Sequence, residues 1–180
     1  MGDGLLCRLL RDLGLNCFVE DKYAQTSYAA GYEKADFDKA DMALAFEVME
    51  HLNHPKKELS LLFQQKPDTV IVSTIPYAGQ GKDWWYLAPD TGQHIFFYSD
   101  KALKWIGEKF GYQAYRRGEY ILYRKSFSKW DKRVINFLLG YKFTPFLRAL
   151  LQLKKPVGIM ADYNKQYEAL QRRNKRDINE

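Results

Sequence analysis

Glu47, Glu50 and His51 place two carboxylates and an imidazole within five positions, directly after the apolar run 42–46. On a first helical turn, positions i, i+3 and i+4 share one face. Such a set can hold a divalent cation; alternatively, Glu50 and His51 bond backbone groups and shape a pocket floor. His54 is expected to face water. Gly2-Asp3-Gly4 stands just before a predicted helix, and glycines let the backbone approach a nucleotide closely. Asp21 lies 17 positions beyond Gly4, close to the roughly 20-residue spacing at which an acid meets ribose hydroxyls. Glu20 competes for that role, and a turn cap is the alternative for Asp21. A third group sits in the long connection 75–97, where Trp84, Trp85 and Tyr86 can wall a substrate pocket or pack as core. His94, in the same connection, is a candidate general base for a hydroxyl, or a pin that holds the loop by hydrogen bonds.

These groups need elements to position them. Residues 5–13 read as a helix closed by Gly14, and 16–19 as a short strand. The run 42–46 is uninterrupted and apolar, as buried parallel strands are. A helix over 56–65 starts behind Pro55 and stops before Pro67-Asp68. Residues 69–74, rich in β-branched side chains, form a central strand. Ser99 caps a helix over 100–110 that Gly111 ends, and 113–116 with 120–123 make a hairpin across Gly118-Glu119. The alternation predicts an α/β fold, with Glu47, Glu50 and His51 at a strand exit where open sheets hold ligands. The tail is helical in a different way. Ser128 to Asp131 resembles a capping box, with Gly140 beyond the apolar run. A second helix starts at Thr144-Pro145 and ends at Pro156; a third, capped by Asp162, lines up Tyr163, Tyr167 and Leu170.

Bulk composition narrows the classes. A chain of 180 residues with 46% hydrophobic content can build a sizeable core, and no apolar run approaches the length of a bilayer span. Cys7 and Cys17 are isolated, without metal spacing, and read as free thiols in a reducing cytoplasm. The net charge of +6 is unevenly spread. Residues 1–124 carry 15 basic and 17 acidic side chains, whereas 125–180 carry 13 basic and 5 acidic. The expected division is therefore an α/β domain over 1–124 and a basic helical extension over 125–180. No nucleic-acid recognition motif accompanies the positive charge.

Several of these residues together resemble the class I methyltransferases that use S-adenosylmethionine. The resemblance spans roughly residues 2–123. It rests on Gly2-Asp3-Gly4, on Asp41 with the run 42–46 and Glu50-His51-Leu52, on Pro55, and on Gly111-Tyr112 before the hairpin. Within the family it is most similar to the branch of ubiquinone-pathway and sugar or cell-envelope enzymes. The resemblance implies a Rossmann-like, mostly parallel sheet with a terminal antiparallel hairpin and a C-terminal helical extension. The family's first strand, before the glycine turn, has no counterpart here, so an N-terminally truncated version is expected. It further implies cofactor contacts from Gly2, Asp3, Gly4, Asp21, Asp36, Phe37 and Glu47, with Asp36 and Phe37 reaching the adenine. Some relatives hold a divalent cation with residues like Glu47, Glu50 and His51. The implied activity is methyl transfer to a small hydroxylated acceptor, such as an envelope sugar. The competing reading is a non-catalytic binding or scaffold module. Two further expectations are a homo-oligomer and membrane-surface contact by the tail, through Phe146, Leu147, Leu150, Leu151 and Leu153 beside Lys154-Lys155. Against the latter stands a lid or core role for those helices.

Overall fold

The computed structural model describes residues 2–21, 26–33 and 39–140, with residues 145, 163, 164, 167 and 168. The chain forms two compact units, one of residues 1–36 with 144–180 and one of residues 37–143. The second of these units takes in the first tail helix.

In the first unit, α1 (Leu5–Asp12) starts from Gly4, whose φ of 90° is a left-handed value suited to glycine. A Cβ there would collide with Thr26 Cγ2 and meet Ala29 Cβ at 3.0 Å. Asp3 O accepts the N–H groups of Ser27 and Tyr28, both at 2.9 Å, so the glycine turn is sewn to residues 27–28. Cys7, Ala29 and Tyr32 form a small core with Cys17, Phe18 and Val19 against it. Arg11 stacks over Tyr32 at 3.6 Å. The expected strand over 16–19 is not formed. Val19 N–H donates to Tyr32 O at 2.9 Å, yet a strand requires a ladder, and all four strands among the described residues lie in the other unit. Tyr163 and Tyr167 are exposed helical residues with rings stacked 6.1 Å apart. The expected second tail helix, apart from an exposed helical Pro145, and Leu170 of the third lie outside the described residues.

The second unit follows the expected order: β1 (Met42–Phe46), α2 (Pro55–Gln64), β2 (Thr69–Ser73), α3 (Asp100–Lys109), β3 (Gln113–Arg117), β4 (Tyr120–Arg124) and α4 (Lys129–Leu138). The sheet order is β1-β2-β4-β3. β1 and β2 are parallel, joined through α2, and the β3–β4 hairpin adds antiparallel to β2. This is a Rossmann-like α/β arrangement with a terminal antiparallel hairpin. Val70 and Val72 of β2, Ile121 and Tyr123 of β4, Leu59 and Phe63 of α2, and Leu103 and Ile106 of α3 make the core. Phe63 stacks on Phe110 at 4.4 Å. Ser99 caps α3 by accepting Ala102 N–H, and Ser128 and Asp131 form the full capping box of α4. β1 departs from the expected burial. Only Ala45 is buried and Met42 is half exposed, because β1 is an edge strand among the described residues.

Candidate functional site

β1 and β2 end side by side, with Phe46 opposite Ser73. In a parallel sheet, that carboxyl end is where ligand-binding residues gather. Glu47 leaves β1 with φ 50°, a left-handed value that costs a non-glycine residue roughly 1–2 kcal/mol. Its N–H donates to Ser73 Oγ at 3.0 Å and to Ser73 O at 3.3 Å, which holds the strained turn. Ser73 Oγ donates back to Glu47 Oε1 at 2.6 Å. The Tyr86 hydroxyl lies 2.6 Å from Glu50 Oε1, 3.1 Å from Glu47 Oε2 and 3.3 Å from Thr74 Oγ1. Tyr86 is therefore the clasp between the two carboxyl groups, and it comes from the middle of the connection 75–97.

Burial works to raise the pKa of Glu47, but its contacts with Ser73, Glu50 and Tyr86, with His94 nearby, outweigh burial and hold it below the usual carboxyl value. Burial and donation to Glu50 push the Tyr86 phenol well above its ordinary range. Glu50 is 0% exposed, and its Oε2 is the one buried side-chain polar atom lacking a hydrogen-bond partner among the described residues. Such an orphan is costly unless a ligand or ion satisfies it.

The connection 75–97 folds back onto the single-turn helix Met49–His51. Glu50 O accepts Ile95 N–H at 2.9 Å and Phe96 N–H at 3.2 Å, and Tyr98 OH donates to Met49 O at 3.0 Å. His51 Nδ1 lies 3.0 Å from Gln93 O, and His94 Nδ1 lies 2.6 Å from Tyr86 O. A carbonyl only accepts, so both Nδ1 atoms carry a proton, and these contacts leave both Nε2 atoms unused. The two rings meet edge to face at 4.8 Å. Glu50, His51 and His94 each bring one ligand atom within 4.8 Å of the others. This trio differs from the sequence-derived metal set, since Glu47 is held by Ser73 and Tyr86 while His94 arrives from the connection.

The other candidates are distributed as follows. Trp84 is half buried against Tyr77, Tyr86 and Phe97, whereas Trp85 is 73% exposed beside Tyr86. His54 is exposed as expected, and its N–H donates to Glu58 at 2.8 Å at the start of α2. In the other unit, Gly2 and Asp3 are exposed at the head of α1; around Gly2 a Cβ would meet nothing nearer than Gly4 N at 3.8 Å. The Gly2–Asp3 backbone thus has the room that a closely approaching cofactor requires. Gly4 is different: its missing Cβ makes room for Thr26 and Ala29. Asp21 is half buried and Glu20 exposed. Asp36 and Phe37 lie outside the described residues. Sequence reading passed over Ser73 and Thr74, although two hydroxyl residues ending a central apolar strand are a signal for that position.

A family profile described as a methyltransferase domain matches residues 1–116, from the glycine turn into β3. The chain belongs to the class I methyltransferase family. No curated protein matches it. The methyltransferase match covers every candidate residue named above and leaves α4 and the tail outside. It assigns methyl transfer as the general activity. Among the described residues, no helix of this methyltransferase is long and apolar enough to cross a membrane.

Proposed function

We propose that this methyltransferase moves the methyl group of S-adenosylmethionine onto a small hydroxylated acceptor, with sugars of envelope biosynthesis the leading class. The observation that carries this reading is the joined Glu47–Ser73–Tyr86–Glu50 array at the carboxyl ends of β1 and β2, with His94 beside it. When bound, the cofactor supplies an activated sulfonium methyl, so positioning provides much of the acceleration. The family resemblance assigns cofactor contacts to Gly2, Asp3, Gly4, Asp21, Asp36, Phe37 and Glu47, and of these Glu47 belongs to the array. Glu47, kept ionised by its contacts, favours a cationic or hydroxyl-bearing ligand. His94 receives the acceptor's proton at Nε2, its tautomer set by the Tyr86 carbonyl. Trp84 and the exposed ring of Trp85 wall the acceptor, and Tyr86 fixes the two carboxyl groups. Cys7 and Cys17, neither in a disulfide, suit a reducing cytoplasm. Calorimetric titration with S-adenosylmethionine tests the reading. Saturable binding weakened by Glu47→Ala is expected, and no binding overturns it in favour of a non-catalytic module.

The orphaned Glu50 Oε2 supports a second reading, in which a divalent cation is held by Glu50, His51 and His94. Nε2 nitrogens backed by carbonyl-bound Nδ1 groups are the usual arrangement of metal-bound histidines. A cation there would lower the pKa of a bound hydroxyl and replace His94 as proton acceptor. Titration with Mn2+ or Zn2+ alone separates the readings. Stoichiometric binding lost in His51→Ala and in His94→Ala supports the cation, and its absence leaves His94 as the base.

A further inference from the structure

Outside the matched region, α4 leaves an apolar row exposed. Its sheet-facing side makes polar contacts: Asn136 Oδ1 accepts Tyr115 OH at 3.0 Å and Arg117 Nη1 at 2.7 Å. Asp131 accepts Arg124 Nη1 at 3.1 Å, and Lys132 lies over the Tyr115 ring. Trp130, Val134 and Leu138 recur at i, i+4 and i+8 and so form one row along the helix. They are 69%, 39% and 43% exposed, and no residue of α4 is buried. A helix that packed as ordinary core would turn this row inward. Lys129 and Arg133, also i, i+4, form the neighbouring row and are exposed. Residues 125–180 as a whole carry 13 basic against 5 acidic side chains.

We propose that α4 is an interfacial helix that lies on an anionic lipid surface, with Trp130, Val134 and Leu138 among the acyl chains and Lys129 and Arg133 at the headgroups. The arrangement has the parts such helices use: an apolar row ending in a tryptophan, flanking cations, and a length unsuited to spanning. Charge complementarity selects anionic over zwitterionic lipid, because each cation near such a surface adds to the attraction. The proposal stands apart from the methyl-transfer reading, since none of these residues belongs to the array at the strand ends.

The test is co-sedimentation of the full chain with vesicles of phosphatidylcholine alone or with about one-third phosphatidylglycerol, at low and high salt. Binding to the anionic vesicles that weakens at high salt is expected. Trp130→Glu and Leu138→Glu are each expected to lower the partition coefficient at least tenfold while circular dichroism and the melting midpoint stay unchanged. In the wild type, lipids brominated near the acyl–headgroup boundary should quench tryptophan emission, and Trp130→Phe should remove most of that quenching. Three results overturn the proposal. One is no binding to either vesicle. Another is variants that bind like wild type while Lys154→Glu/Lys155→Glu abolishes binding, which places the contact in the tail. The third is a wild-type dimer, seen by light scattering, that Leu138→Glu dissociates.

Discussion

Tyr86→Phe removes one oxygen and tests the whole account of the site. The lost hydroxyl sits 2.6 Å from Glu50 Oε1, within the range of charge-assisted O–H···O bonds. Glu50 is fully buried and its other oxygen already lacks a partner, so the substitution leaves the entire carboxyl group without a donor. Leaving this buried carboxyl group unsatisfied costs up to about 3 kcal/mol, against about 1 kcal/mol for an ordinary bond. The contact to Glu47 Oε2 adds little, because Glu47 is exposed. With a urea m-value of about 2 kcal/mol per molar, a loss of about 3 kcal/mol moves the midpoint down by roughly 1.5 M. Tyr98→Phe is the control: it is equally aromatic and buried, but its hydroxyl only meets the Met49 carbonyl, and a shift of about 0.5 M is expected. In a Glu50→Gln background, Tyr86→Phe should cost only about 1 kcal/mol, giving a coupling energy near 2 kcal/mol in the double-mutant cycle. If Tyr86→Phe costs no more than Tyr98→Phe, or the coupling is zero within error, the clasp does not hold the site together.

Other predictions follow from the same geometry. Ser73→Ala frees Glu47 Oε1 of its 2.6 Å contact, so the Glu47 pKa should rise toward the ordinary value in an NMR titration. Because the wild-type pKa is lowered, the linked stability is present above the unfolded pKa and lost as pH falls; the variant should show a flatter acid limb. Burial raises the phenols of Tyr86 and Tyr123 and pushes Tyr98 up to about 12. Raised groups favour the folded state below their unfolded pKa near 10, so stability should drain as pH climbs from about 10 to 12, measured as falling urea midpoints. Gly107→Ala should destabilise by about 1–3 kcal/mol, since its Cβ would meet Tyr112 O at 2.9 Å and Tyr123 Cδ1 at 3.0 Å inside the core; thermal melting reads the loss.

Much of the fold was written locally. The β-branched run of β2, the serine caps of α3 and α4, the Gly118-Glu119 turn and the stop at Gly111 each act through neighbours in sequence, and each element formed within a residue or two of expectation. The position of Glu47, Glu50 and His51 after a parallel strand was legible for the same reason. Pairing was not. Residues 16–19 have strand-like composition, yet a strand exists only where another supplies its ladder, and β1 lost its expected burial by standing at an edge. The site chemistry was likewise decided by closure over long separations. Tyr86 reaches Glu50 across 36 positions and Ser73 reaches Glu47 across 26, contacts that no spacing rule encodes. Which nitrogen of His51 and His94 carries the proton depends on carbonyls in a loop folded back over them. The apolar row of α4 was not read from the sequence; it stands exposed in the packed chain, where Asn136 meets Tyr115 and Arg117. A side chain's type fixes what it can do, whereas its partner, burial and direction are properties of the packed chain.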